Sequence, residues 1–488
     1  MIHGLVALFA GALLPLSFAP FDLWPLGLLA VAVFFHLLQT TRSRGIFIGW
    51  MFGVGKYGVG VSWIYVSIHD FGNASPALAF FLVCLFVGGL ALFVLANGWL
   101  FCRLKRTNPL LSGCLFICVY VTFEWLLTWF LTGFPWLLVG YGHLTTMLAG
   151  FAPVGGVLLV SLMAVTSATG LVVLIHERRG LSAVIAGLAA VLPWVVGAGF
   201  SAITWVTSAA LHDVALVQGN IDQRLKWLPE SRQPIIDKYL ALSEPHWDAQ
   251  LIVWPEAAIT LFTHQATDLL AALDERGKAN GTALVLGLPA LEVRPGEEVV
   301  FKNTALGLGT ARGTYVKRRL VPFGEYVPLE NLLRGLIDFF DLPMSRAESG
   351  DWHQPLLQIG DATAALAICY EIAYPALVRE GADVLLTISN DTWFGDSIGP
   401  LQHLQIARMR ALENGRWLLR ATNNGVSAIV DERGVIRGQL PQFEAGVLRG
   451  EYRHMAGVTP YARFGDWPLL AVLLGGILIP LAVSRKTR

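Results

Sequence analysis

Glu256, Lys317 and Cys369 each stand where a short apolar run gives way to polar residues. Glu256 follows Leu251-Ile-Val-Trp-Pro255, Lys317 follows Thr314-Tyr-Val316, and Cys369 ends Ala364-Ala-Leu-Ala-Ile368. A carboxylate, an ammonium and a thiol form a working set for acyl transfer. A free thiol with a pKa of about 8.5 needs a base or a nearby cation to act as thiolate. Glu256 could take its proton. Lys317 could stabilise both the thiolate and the oxyanion of a tetrahedral intermediate, helped by the backbone N–H of Tyr370. Each residue also has a duller reading: a loop carboxylate, a solvated surface lysine, a small core thiol. Their joint occurrence at strand ends, in Pro-, Gly- and aromatic-rich surroundings, favours the catalytic one. Cys369 is also the lone thiol between about residues 210 and 460, because Cys84, Cys102, Cys114 and Cys118 lie in or beside long apolar stretches.

The elements that must hold this set read as an α/β domain. Asp213–Gln218, Gln250–Trp254, Thr282–Gly287, Ala364–Cys369 and Asp383–Ile388 are apolar runs of strand length. Amphipathic stretches such as Asp222–Asp248 and Ala266–Asn280 lie between several of them. Ser427–Val430 and Val447–Arg449 read as antiparallel or mixed additions. Strands alternating with helices predict a two-layer sheet arrangement with flanking helices, and catalytic groups gather where such strands end.

The rest of the chain is different in kind. Of its 488 residues 55% are hydrophobic and only 14% charged, with a mean hydropathy of +0.57. The apolar residues concentrate before about residue 210 and again from Trp467 to Val483, in runs near the roughly 20 residues that span a bilayer. Eight spans are expected, at 3–19, 22–39, 46–67, 76–101, 109–131, 144–175, 181–204 and 466–484. Alternate connections are basic: Arg42 and Arg44; Arg103, Lys105 and Arg106; Arg178 and Arg179; Arg485, Lys486 and Arg488. The opposite short connections hold no Lys or Arg. The positive-inside rule makes the basic set cytoplasmic, and seven crossings then put the α/β domain outside the cytoplasm. This parity needs residues 1–19 retained as a span. That segment has neither a basic n-region nor a clear small-x-small cleavage site. The expected organisation is a seven-helix membrane part over 1–210, a catalytic domain over 211–458, and a last helix with a basic tail over 459–488.

Within the membrane part, Gly53-Val-Gly55-Lys-Tyr-Gly58 matches a dinucleotide-binding pattern but lacks the strand before it that this use requires. Gly45, Gly49 and Gly53 at four-residue spacing instead predict close helix packing. Glu124 interrupts an apolar span and either buttresses the bundle or serves a substrate site. Trp63, Trp125, Trp129 and Trp136 suit an interfacial belt or the lining of a lateral opening for lipid tails. Apart from Lys56 and Glu124 the spans carry no run of charges, so a transport path is poorly supported. A formal net charge of zero argues against a general nucleic-acid binder. The Cys and His residues lack metal-ligand spacing, and no cofactor is expected.

The motifs together resemble the nitrilase (carbon–nitrogen hydrolase) superfamily and, within it, the membrane-embedded apolipoprotein N-acyltransferase family. The matching stretches run nearly the whole chain: Ser62–Ser67, Thr132–Trp136, Val217–Ile221 with Lys226-Trp227, Trp254–Ala258, Leu320–Pro328, Ile368–Glu371, Ser389–Gly395, Gln402-His403 and Thr422–Gly425. The resemblance implies an α-β-β-α sandwich in the periplasm of a bacterial inner-membrane enzyme. It implies Glu256 as general base, Lys317 as oxyanion stabiliser and Cys369 as nucleophile. It further implies supporting roles for Glu325, Tyr370 and Glu371, and a substrate-contacting Trp227. The implied partners are a phospholipid acyl donor, with phosphatidylethanolamine preferred, and the diacylated N-terminus of an apolipoprotein as acceptor. Two lipid-anchored substrates require a site that opens sideways at the outer leaflet. A monomer is expected. Arg319 departs from the pattern, since many nitrilase-type sequences carry histidine there. The alternative enzyme is a membrane-tethered amidase or nitrilase that uses the same triad with water as acceptor.

Overall fold

The computed structural model describes residues 1–41, 44–292, 299–326, 347–379 and 381–483. The chain forms two compact units. One gathers residues 1–65, 76–205 and 459–488; the other gathers 66–75 and 206–458.

The first unit is helical: α1 (Ile2–Leu13), α2 (Trp24–Thr40), α3 (Gly45–Gly60), α4 (Pro76–Leu104), α5 (Pro109–Leu126), α6 (Ala152–His176), α7 (Gly180–Ser201) and the C-terminal helix Trp467–Val483. Among the described residues, four helical stretches, at Pro76–Leu104, Pro109–Leu126, Met147–His176 and Gly180–Ser201, are long and apolar enough to cross a membrane. The apolar segments Ile2–Ser17, Trp24–Thr40 and Trp467–Ala482 are shorter.

Small residues set the packing of α3. A Cβ at Gly49 would meet the Val94 carbonyl oxygen at 2.4 Å, and one at Gly53 would meet the Ala91 Cα at 2.8 Å. The glycine series is therefore the face on which α3 lies against α4, as the spacing predicts. Helix α5 ends at Leu126, before the expected 131, and α6 begins at Ala152, after the expected 144. Between α5 and α6 the backbone turns irregularly, with Leu131, Thr132, Gly133 and Leu137 all at positive φ. Side chains supply the partners that a helix would have given this stretch. Glu124 Oε1 accepts the Val139 N–H at 2.8 Å, and Ser161 Oγ accepts the Gly140 N–H at 2.8 Å. Glu124 thus serves as a buttress. Trp136 is buried with its ring 5.3 Å from that of Trp63, so these two are core residues, while Trp129 is exposed.

The second unit holds two mixed sheets. The strands are β1 (Thr207–Gln218), β2 (Leu251–Val253), β3 (Ala283–Glu292), β4 (Val300–Gly309), β5 (Ala311–Arg312), β6 (Thr314–Val316), β7 (Leu357–Ile359), β8 (Ala362–Ile368), β9 (Val384–Ser389), β10 (Leu418–Thr422), β11 (Ala428–Val430), β12 (Ile436–Gln439) and β13 (Gly446–Ala456). The first sheet runs β13-β1-β2-β3-β4-β6 and the second β12-β11-β10-β9-β8-β7-β5. Each has a parallel centre, β1-β2-β3 and β8-β9-β10, with antiparallel neighbours. Strands buried on both faces are near-continuous apolar runs, which is why Ala362–Ile368 and Val384–Ser389 are legible as such.

Helices α8 (Gln223–Lys226), α9 (Arg232–Ser243), α10 (Thr267–Asn280) and α11 (Gly399–Asn414) complete the unit. Ile235 and Tyr239 of α9 and Leu273 of α10 share a core with the first sheet. Leu404, Ala407 and Ala411 of α11 share one with the second. The sheets meet through β1 against β10 and through β13 against β9 and β11. The order of layers is helix, sheet, sheet, helix. Buried Gln218 pins the sheets together, its Oε1 accepting from Ser427 Oγ at 2.7 Å and its Nε2 donating to the Pro441 carbonyl at 2.8 Å.

Residues 66–75, between α3 and α4 in sequence, pack with this second unit. Ser67 Oγ donates to the Trp393 carbonyl at 2.7 Å, and the Phe71 and Trp393 rings meet edge to face at 5.9 Å. The expected span 46–67 therefore ends early, at Gly60.

Candidate active site

The parallel strands aim their C-terminal ends at one place. Trp254 extends the β2 pairing by one bond, its N–H reaching the Val285 carbonyl, and its indole N–H donates to Ser243 Oγ at 2.8 Å. Past Pro255 the chain turns through Ala257 at φ 47°, which presents Glu256 at the strand end. β8 ends in a 3-10 turn, Cys369–Ala373, with Cys369 itself at φ 55°. A non-glycine residue in that region is strained, of order 1–3 kcal/mol, and the surroundings must hold it there.

Glu371 is the main restraint. Its Oε2 accepts from the Ile368 N–H and the Tyr315 hydroxyl, both at 2.8 Å, and its Oε1 accepts from the Arg318 and Arg319 N–H groups at 2.6 and 2.9 Å. One buried carboxylate thus ties the turn bearing Cys369 to the segment bearing Lys317. On the other side His403 Nε2 lies 3.1 Å from the Cys369 carbonyl oxygen. The His403 Nδ1 lies 3.0 Å from Asp391 Oδ1, and Arg420 donates to Asp391 Oδ2 at 2.5 Å. Burial alone would raise the Asp391 pKa, but the Arg420 guanidinium and His403 hold it well below the usual carboxylate range. Burial and Arg420 together push His403 down, towards the neutral ring.

Glu256, Lys317 and Glu325 form one buried hydrogen-bonded group. Lys317 Nζ donates to Glu325 Oε1 at 2.8 Å and to Glu256 Oε1 at 3.3 Å. Asn303 Nδ2 donates to the same two carboxylates at 2.7 Å (Glu256) and 3.2 Å (Glu325). The Asn390 N–H, at the end of β9, donates to Glu256 Oε2 at 2.8 Å. Burial favours a neutral Lys317, yet Glu256 and Glu325 outweigh it and hold the ammonium charged, above the ordinary lysine value. The residue Cys369 is partly exposed, and its thiol is pushed up by desolvation and by the Glu256 charge, and pulled down by Lys317. The balance favours the protonated thiol, for which attack on a carbonyl requires a base to take the proton. Glu256 is the carboxylate whose charge it feels most.

A second lysine belongs to this group and has no role in the sequence reading. Lys226, at the end of α8, is buried and donates to the Glu256 carbonyl oxygen at 3.2 Å. Burial lowers its pKa to about 8, against the opposing pull of Glu256 and Cys369. Trp227 follows it directly, partly buried, with an indole nitrogen that has no partner among the described residues. Tyr370 packs its ring 5.2 Å from Tyr374. Residue type alone does not mark Lys226, Asn303, Asn390 or the Asp391–His403–Arg420 cluster; the one signal in the sequence is the polar run Ser389-Asn-Asp directly after an apolar strand.

A sheet pair with helical outer layers, a thiol at a strand-end turn and a carboxylate–lysine pair beside it are what the resemblance to the carbon–nitrogen hydrolase class leads one to expect. The carbon–nitrogen hydrolase family model matches residues 213–461, and that of the apolipoprotein N-acyltransferase N-terminal domain matches residues 10–170. An apolipoprotein N-acyltransferase of Pseudomonas aeruginosa is 46% identical over 99% of this chain and 96% of its own. One of Azotobacter vinelandii is 47% identical over 97% and 94%. Among solved structures, a carbon–nitrogen hydrolase superfamily protein of Xanthomonas campestris aligns at 19% identity, covering 55% of this chain and 98% of its own, with a TM-score of 0.38. The chain belongs to the apolipoprotein N-acyltransferase family.

Proposed function

We propose that this enzyme moves a fatty acyl chain from a membrane phospholipid to the α-amino group of an S-diacylglyceryl-cysteine at a lipoprotein N-terminus. The observation that carries this reading is the buried Glu256–Lys317–Glu325 group beside the Cys369 thiol, in a chain with membrane-length apolar helices. In the first half-reaction Glu256 takes the thiol proton as Sγ attacks the ester carbonyl. Lys317 and the backbone N–H of Tyr370 stabilise the oxyanion. The bond from carbonyl carbon to glycerol oxygen breaks, and the leaving oxygen takes the proton back from Glu256. A thioester and a lysophospholipid result. In the second half-reaction the amine attacks the thioester and gives a proton to Glu256. The tetrahedral intermediate expels the Cys369 sulfur, which recovers that proton, and an amide is formed.

Glu325 keeps Lys317 charged and in place, Glu371 and Tyr370 shape the nucleophile's turn, and Trp227 contacts substrate. The proposed setting is a bacterial inner membrane crossed eight times. Residues 1–210 and 459–488 are assigned to the membrane part and tail, and 211–458 to a periplasmic catalytic domain. Alternating basic connections and span parity support that orientation. Phosphatidylethanolamine is the proposed donor, and the enzyme is proposed to act as a monomer.

One assay tests chemistry and orientation together. Right-side-out membrane vesicles containing the enzyme are given a diacylglyceryl-cysteine peptide from outside. N-acylated peptide and lysophospholipid should accumulate in equal amounts, and Cys369→Ser should yield neither. Free fatty acid in place of acylated peptide would favour the hydrolase alternative. Product formed by inverted vesicles alone would reverse the orientation.

A further inference from the structure

Two adjacent arginines follow Lys317, and the structure uses them differently. Arg318 is fully engaged: Nε donates to the Tyr315 hydroxyl at 3.0 Å, Nη1 to the Trp352 carbonyl at 2.9 Å and Nη2 to the Leu377 carbonyl at 3.0 Å. Its role is internal, and it fixes the position of Trp352. The Arg319 guanidinium makes no hydrogen bond among the described residues, and its Nε is buried without a partner. It lies between two aromatic rings, 5.2 Å from the centroid of Trp352 and 5.3 Å from that of Tyr374. Its backbone is fixed by Glu371, the carboxylate that also holds Ile368 next to the nucleophile.

A guanidinium between rings keeps its charge and is held in a plane, with its edge available to a ligand. Planar N–H pairs recognise the oxygens of phosphate or carboxylate in bidentate fashion. Trp352 is 48% exposed, so the stack stands at the rim of the unit, where solvent and ligand have access.

We propose that Arg319, clamped between Trp352 and Tyr374, is an anion-binding site for the phosphodiester of the acyl donor's headgroup. It makes this residue a determinant of donor specificity. The inference rests on the acyl-transfer reading above. Holding the phosphodiester beside the turn of Cys369 would orient the neighbouring ester towards the thiol, which a neutral acyl donor could not exploit.

The test measures formation of the Cys369 thioester in the full-length protein from two donors with identical acyl chains, phosphatidylethanolamine and diacylglycerol. Wild type should prefer the phospholipid, as a ratio of kcat/KM. In Arg319→Gln that preference should fall about tenfold, chiefly through KM, and Arg319→Lys should restore part of it. An equal loss for both donors would mean that the stack merely supports the fold, and an unchanged ratio would mean that Arg319 does not meet the headgroup. Either result overturns the proposal. Inorganic phosphate distinguishes the source of the anion. If Arg319→Gln relieves inhibition by free phosphate while donor preference stays intact, the headgroup assignment falls. Absence of any thioester in wild type from either donor would instead refute the acyl-transfer reading itself.

Discussion

Beyond the desolvation that raises its pKa, the Cys369 thiol feels a carboxylate, Glu256, that raises it further and an ammonium, Lys317, that lowers it. The two neighbours should therefore move its reactivity in opposite directions, and two assays separate charge from proton transfer. Alkylation by iodoacetamide below the ordinary thiol pKa of about 8.5 reads the thiolate fraction. Lys317→Met removes the stabilising cation, so labelling of Cys369 should slow and thioester formation fall by about 100- to 1,000-fold. Glu256→Gln removes the charge that disfavours the thiolate, so labelling should quicken while thioester formation falls by about 100- to 10,000-fold. The pH profile of labelling should shift accordingly, to higher pH in the lysine variant and to lower pH in the glutamate variant. Peptide-resolved mass spectrometry of Cys369 checks both. If Glu256→Gln slows both reactions alike, Glu256 acts on the thiol through something other than its charge.

The strand ends deliver these residues, and the turn after β8 shows how. Cys369 holds a positive φ while Glu371 accepts hydrogen bonds from Ile368, three residues before it, and from Arg318 and Arg319, 53 and 52 residues away in sequence. Glu371→Ala would leave four donors without their acceptor, three of them in buried contacts, at about 1–3 kcal/mol for each that stays unpaired. The melting temperature should drop, and kcat should fall as the turn loses its geometry. An unchanged melting temperature would show that the turn is held elsewhere. Much of this level was legible in the sequence. Buried parallel strands are uniform apolar runs, so β2, β8 and β9 stood out, with Glu256 and Cys369 at two of their ends. β4 and β10 did not, because Val300–Gly309 and Leu418–Thr422 interleave polar groups with apolar ones. Asn303 on β4 is hidden with its strand, although it donates to both Glu256 and Glu325. Arg420 is hidden with β10. Lys226 was hidden for another reason: a lysine in a short polar helix looks solvated until the tertiary structure buries it.

At the scale of the whole molecule, apolar run length located the membrane-type helices but not where each of them ends. Helix ends depend on what satisfies the backbone, and between α5 and α6 that is done by Glu124 and Ser161. Likewise, nothing in the composition of residues 66–75 shows that they pack with the catalytic unit and not with the helices that flank them in sequence. The two kinds of architecture in one chain make sense together if a soluble-type nucleophile acts on substrates that never leave the membrane. Such chemistry requires a covalent link between Cys369 and a lipid chain. Purified enzyme incubated with phospholipid alone should gain the mass of one fatty acyl group on Cys369. Hydroxylamine should remove it, and a diacylglyceryl-cysteine peptide should discharge it as an N-acyl product. No acyl mass on Cys369, or an acyl group that water removes as readily as the peptide amine does, would contradict it.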